Sequence, residues 1–333
     1  MTSREIVRRA ITFDSPERIP IKFPSLGIDD TFGVGLQPAA GWTPSQPHED
    51  EWGVVWEMPP EGITNMGQPL GHNLKSLDDI ACIDWPDPHD ETRYANIEAQ
   101  LENAGDRFVM SGCGFVFFER MHYMLGMPEL FIAMYEDPKG VHALAERVLE
   151  FPVGLCEEIG KRFRGRIDGF GMTDDWGTQE AAFTSVPMFR EFFKPYYKRL
   201  FDAIHDAGMF AWMHSCGHVN EIIEEWIDVG LDVVNLQQPT NLGIEEIGQR
   251  YAGRICFESL CDIQMTLPWK DADAIRAEAS QLIEHWSTPR GGFVLGDYGD
   301  GAAIGVPIEK KRVMLQAFAD LAAPGIEVPN VTS

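Results

Sequence analysis

The sequence predicts an α/β protein, a (β/α)8 barrel carrying an irregular insertion over its mouth. Three observations lead there. From about residue 105 onward a short apolar run, a polar or glycine-rich turn and a helical stretch follow one another repeatedly. The runs are continuous rather than alternating, as parallel strands buried on both faces require. The glycine-rich phosphate fingerprint that an open doubly wound sheet carries after its first strand is absent.

Taken in order, MTSREIVRRAITF reads as an amphipathic helix capped by Ser3, with no uninterrupted apolar core of a signal peptide. RIPIKFP (18–24) is the first strand candidate. Six more follow: RFVMSG (107–112), IDGFGMT (167–173), GMFAWMH (208–214), LDVVNLQ (231–237), RICFES (254–259) and GGFVLG (291–296). Seven runs leave the eighth strand of a closed barrel weak or hidden. Residues 25–100 are long, irregular and rich in Pro, Gly and Trp, and are read as an insertion over the mouth. Within them EDEWGVVWEM alternates like a hairpin. A helix starts at Ser185, is kinked by Pro195 and stops at Gly208; a second, NEIIEEWIDVG, ends at Gly230. The expectation is a single domain over residues 1–333.

With 27 basic and 52 acidic side chains the net charge is −25, which argues against nucleic acid and anionic membranes as partners. No apolar stretch approaches a membrane span, so a cytoplasmic location is expected. The six cysteines are scattered and read as reduced thiols. Nothing in the sequence excludes a homodimer.

Active sites of such barrels lie at the C-terminal ends of the strands. There the sequence places Ser25, then Cys113 and Glu119, then Asp174 and Asp175, then His214 and Cys216, then Gln237 and Gln238, then Glu258, and last Asp297 and Asp300. His214 and Cys216 are two apart, so on a strand they share a face with Cα atoms about 6.5–7 Å apart. One zinc ion can then meet both; alternatively Cys216 is a buried thiol and His214 a hydrogen-bonded core residue. Asp174 and Asp175 either cap a turn or supply an acid or base at the mouth. Phe117, His122 and Tyr123, with Gln179 and Gln237, are candidate substrate contacts, although aromatic residues at such spacing also build cores.

SREIVRRAITFDSPERIPI, DEWGVVWE, GFGMTDDWGTQ, SVPMFREFFKPYYKRL, HSCGHVNEIIEEWIDVGLDVVN, DIQMTLP and VPIEKKRVML run along nearly the whole chain. Together they resemble the uroporphyrinogen decarboxylase superfamily, in particular its corrinoid-dependent methyltransferase branch. The resemblance implies a (β/α)8 barrel and a zinc ion held by His214, Cys216 and a later cysteine. It also implies a partner protein that carries the methyl group on a corrinoid (cobalamin), and a small-molecule methyl donor or acceptor. The late cysteine is missing from GDYGDG, leaving Asp297, Tyr298, Asp300, Glu258 or Gln237 as its replacement. The arginine-rich signature of the decarboxylase is missing too, which sets a decarboxylase-like lyase, or a non-catalytic corrinoid- or metal-binding relative, behind methyl transfer from a methoxylated compound (O-demethylation).

Overall fold

The computed structural model describes residues 1–58, 67–299 and 301–329. Seven parallel strands form one curled sheet. In chain order they are β2 (Thr31–Gly33), β3 (Phe108–Phe115), β4 (Gly169–Thr173), β5 (Phe210–His214), β6 (Val233–Leu236), β7 (Cys256–Ser259) and β8 (Phe293–Leu295). The two edges are joined by β1 (Lys22–Phe23) and its lead-in: Ile21 bridges parallel to Leu295, and its backbone oxygen accepts from Asp30 N at 2.7 Å. The sheet therefore closes as a (β/α)8 barrel.

The hidden eighth strand is β2. It lies inside the stretch read from sequence as insertion, and three residues are too few to show a hydrophobic pattern. The kink expected at Pro195 is a full break. Helix α4 (Val186–Phe192) ends at Phe193, and α5 (Lys194–Asp206) restarts with Pro195 in its first turn, where no backbone N–H is needed. Helix α1 (Ser3–Ile11) is capped by Thr2 rather than Ser3, whose hydroxyl instead bonds Asp30 at 2.6 Å. EDEWGVVWEM does turn back on itself, with Glu49 bridging antiparallel to Val55.

Two-residue alternation stacks the barrel interior in layers. Phe108, Trp212, Val233, Cys256 and Val294 form an apolar floor, and Val7 and Ile11 of α1 plug it from below. Burying each such side chain stabilises the fold by about 1.5–3 kcal/mol. One layer up, the same faces of the same strands carry polar groups: His214 lies two residues beyond Trp212, Asn235 two beyond Val233, and Glu258 two beyond Cys256. The apolar floor thus keeps water from entering below a polar rim. The insertion is fastened at that rim by Asp50, which pairs with Arg120 at 2.6 Å, and is braced internally by Glu51, which pairs with the buried Arg93 at 2.7 Å. Among the described residues no helix is long and apolar enough to cross a membrane.

Candidate active site

A cavity of about 690 Å³ opens at the C-terminal rim. Its wall includes Glu119, Thr173, Asp175, Trp212, His214, Cys216, Asn235, Gln237, Gln238 and Glu258.

Three donor atoms converge in it. Asp175, His214 and Cys216 each offer one ligand atom, and those atoms lie within 4.8 Å of one another. His214 Nε2 stands 3.2 Å from Cys216 Sγ and 3.5 Å from Asp175 Oδ1. Strand register explains the meeting. His214 is the register partner of both Thr173 and Asn235, so the chain leaving β4 brings Asp175 alongside the chain leaving β5. Cys216 N then donates to Asp175 Oδ1 at 2.8 Å. Asn235 Oδ1 lies 2.6 Å from His214 Nδ1, which fixes the tautomer and aims Nε2 at the sulfur.

Two glycines permit this approach. A Cβ on Gly217 would sit 2.0 Å from the Gly177 carbonyl oxygen, and one on Gly177 would sit 2.6 Å from His218 N. Gly217 also has φ of +84°, which L side chains rarely adopt. Gln238 Oε1 accepts from Gly217 N at 3.0 Å, holding the loop from the β6 side.

The electrostatics suit a cation. Burial opposes a charged imidazole at His214, but the Cys216 sulfur, then Asp175 and Asn235, outweigh it and raise its pKa to about 10. The donor set of one nitrogen, one sulfur and one oxygen fits a zinc ion with an open fourth position, and the proton that these anions hold on His214 would leave as the metal binds.

The candidates for the third ligand are placed elsewhere. Glu258 is on the rim but is paired with Lys22 at 3.0 Å and bonded by Trp212 Nε1 at 2.5 Å. Asp297 is held by the buried Lys311 at 2.7 Å and by Ser25 N at 3.1 Å. Each carboxylate is committed to its own cation, and Asp175 takes the position beside the pair. Gln237 and Tyr298 line the cavity; Asp300 lies outside the described residues.

Asp174 does not face the mouth. It is fully buried, accepts from Phe118 N and Glu119 N at 3.0 and 2.7 Å, and contacts the Tyr197 hydroxyl. Its carboxylate anchors the start of α2 (Phe118–Leu125). Phe117 is also core, packed among Phe193, Tyr196 and Tyr197. His122 packs at a tilt against Phe118 and edge-on against Tyr123, and burial lowers its pKa to about 4, reinforced by His72 and Arg120. Tyr123 donates to Glu119 at 3.0 Å, and Gln179 donates to Gln238 at 3.5 Å.

Asn235 and Lys22 were not singled out from sequence. Their only signal is a polar residue inside an apolar run, LDVVNLQ and RIPIKFP, where an inward-facing polar group needs a partner.

A family profile described as uroporphyrinogen decarboxylase (URO-D) matches residues 52–321. The chain belongs to this family. Among solved structures, a methyltransferase from Methanosarcina mazei superposes with a TM-score of 0.68 at 13% identity, covering 96% of this chain and 99% of that one. At such identity the likeness is one of fold. Native xylanase 10B from Thermotoga maritima is more distant, with a TM-score of 0.43 at 10% identity over 96% of this chain and 100% of that one. A search of curated proteins returns no match. The fold expected from sequence and the family it resembled therefore agree with the comparisons. In this member of the uroporphyrinogen decarboxylase family, HSCG ends the fifth barrel strand, and the carboxylate beside it comes from the fourth.

Proposed function

We propose that this protein is a zinc- and corrinoid-dependent methyltransferase, moving a methyl group between a small methoxylated compound and a partner protein that carries the corrinoid. The observation that supports this best is the convergence of Asp175, His214 and Cys216 in the wall of the rim cavity. Those three residues would hold the zinc. A carboxylate in place of a second thiolate would make it a harder Lewis acid, matched to a methoxy oxygen rather than a thiol.

The chain's own groups do the rest. Asn235 orients His214, and Gln238 steadies the Cys216 loop. Met110, Met172, Ile263 and Ile304 give the cavity an apolar wall for the methyl-bearing part of the donor and keep water from it. Lys22 is the one Lys or Arg among the described lining residues, and Glu258 already neutralises it, so the cavity is poorly suited to a polyanionic porphyrinogen. The similarity in fold to a methyltransferase is consistent with this reading.

Two measurements test it. Metal analysis of the purified full chain should find about one zinc, lost in His214→Ala. Reduced cobalamin should then be methylated from a panel of aryl methyl ethers by the wild type and not by the variant. Protein without bound zinc, whose activity is indifferent to His214→Ala, would sink the proposal.

A further inference from the structure

Of the two carboxylates expected to supply an acid at the mouth, Asp174 is walled in and Asp175 stands beside His214 and Cys216. Glu119 takes its place in the cavity. It is the second residue of α2, and Asp174 fixes its backbone N–H. Its side chain turns back over the rim and is only 3% exposed, yet it lines the cavity. Thr173 donates to one carboxyl oxygen at 2.9 Å and Tyr123 to the other at 3.0 Å. Thr173 is the register partner of His214, so the carboxyl stands one side chain away from the metal-ligand cluster. No cation pairs with Glu119 among the described residues, unlike Glu258 and Asp297. An unpaired, nearly buried carboxyl facing a cavity is a group placed to carry a proton.

Resting on the function proposed above, we infer that Glu119 is the catalytic acid that protonates the leaving oxygen of an O-methyl donor. The chemistry selects the donor class. A methylated ammonium or sulfonium leaves as a neutral amine or thioether and needs no proton, whereas an ether leaves as an alkoxide or phenoxide. The O–CH3 bond breaks with its electron pair staying on oxygen. The methyl group goes to the reduced corrinoid, which supplies the electron pair of the new bond. The oxygen takes the Glu119 proton, and the carboxylate regains one from water. Burial raises the Glu119 pKa to about 7, and the Asp175 charge adds to this; Thr173, Tyr123 and His214 pull against it. Asp174 is a further titratable group beside it among the described residues, and burial, with the Glu119 charge adding, raises its pKa well above the usual carboxylate range.

The test compares wild type, Glu119→Gln and Glu119→Asp as zinc-loaded full chains with reduced cobalamin. The donors are methyl ethers of phenols of graded acidity. Glu119→Gln should slow demethylation about 100-fold or more for ethers of weakly acidic phenols, and far less for those of nitrophenols. Glu119→Asp should restore part of the rate, and zinc content should not change. An equal loss across the series, or no loss, overturns the acid. A second readout needs no turnover. In an infrared titration without donor, wild type should show a protonated-carboxyl band that fades around pH 7 and that Glu119→Gln lacks. Absence of that band overturns the acid even where methyl transfer is found. The band without methyl transfer from any donor overturns the function proposal and, with it, the role of Glu119 in methyl transfer.

Discussion

Asn235 Oδ1 lies 2.6 Å from His214 Nδ1, and this one contact decides which imidazole nitrogen faces Cys216 and Asp175. Removing it frees the ring to rotate and to change tautomer. Asn235→Ala should weaken zinc binding about 10- to 100-fold in a chelator competition titration, with little change in the folded fraction. Unchanged affinity would show that packing alone holds the ring.

Gly217→Ala brings a methyl group into the Gly177 carbonyl, 2.0 Å from its oxygen, at a φ of +84°. The dihedral alone should cost about 1–3 kcal/mol, and the clash adds to it. A lower melting temperature together with zinc loss is expected, since the loop that carries Cys216 must move. A variant with wild-type melting and full zinc would show that the two loops can separate freely.

Asp174→Asn separates a structural from a catalytic role. The amide can no longer accept from Phe118 N, Glu119 N and Tyr197 together, so about 1–3 kcal/mol of stability should be lost in denaturant unfolding. Lost activity with unchanged stability would instead return Asp174 to the chemistry.

Thiol labelling reads the cysteines individually. Cys82 is exposed and should react first. Burial pushes the Cys113 thiol up to about 12, outweighing the pull of nearby Arg120, so at about pH 8 its reactive thiolate is scarce and alkylation should be slow. Chelation of zinc should expose Cys216 as the additional reactive thiol, identified by peptide mapping. Equal reactivity with and without chelator would count against Cys216 as a ligand.

Glu158 ties α3 (Pro138–Phe163) to His89 and should set part of the acid stability. Hydrogen bonding from Lys161 leads the causes that lower its pKa from 4.5 to about 2, with His89 and Arg162 adding to it and partial burial opposing. A depressed carboxylate stabilises the fold above its unfolded value and loses that contribution as pH falls toward the folded one. Glu158→Gln should therefore lower the melting temperature at neutral pH, by an amount that shrinks below pH 4.5. A gap that does not change with pH would mean that the charge contributes nothing.

The barrel was legible in sequence because its mark is local. Buried parallel strands are continuous apolar runs such as GMFAWMH and LDVVNLQ, and the helices between them repeat at their own period. Only β2 escaped, since three residues ending in glycine carry no pattern. His214 and Cys216 were legible for the same reason, being two residues apart at the end of one strand. Their third companion was not. Asp175, Glu258 and Asp297 are all carboxylates at strand ends, and nothing along the chain ranks them. Ranking came from across the barrel: Lys22 and Lys311 neutralise two of them, while the register of β4 on β5 brings the third to the histidine. Adjacent Asp174 and Asp175 were divided in the same way, one turned into the core beneath α2 and the other into the cavity. Sequence determines which groups reach the rim, because strand period is a property of neighbours. Which of those groups meet, and which are already paired, depends on residues from other strands and helices, and only the closed sheet brings them within reach.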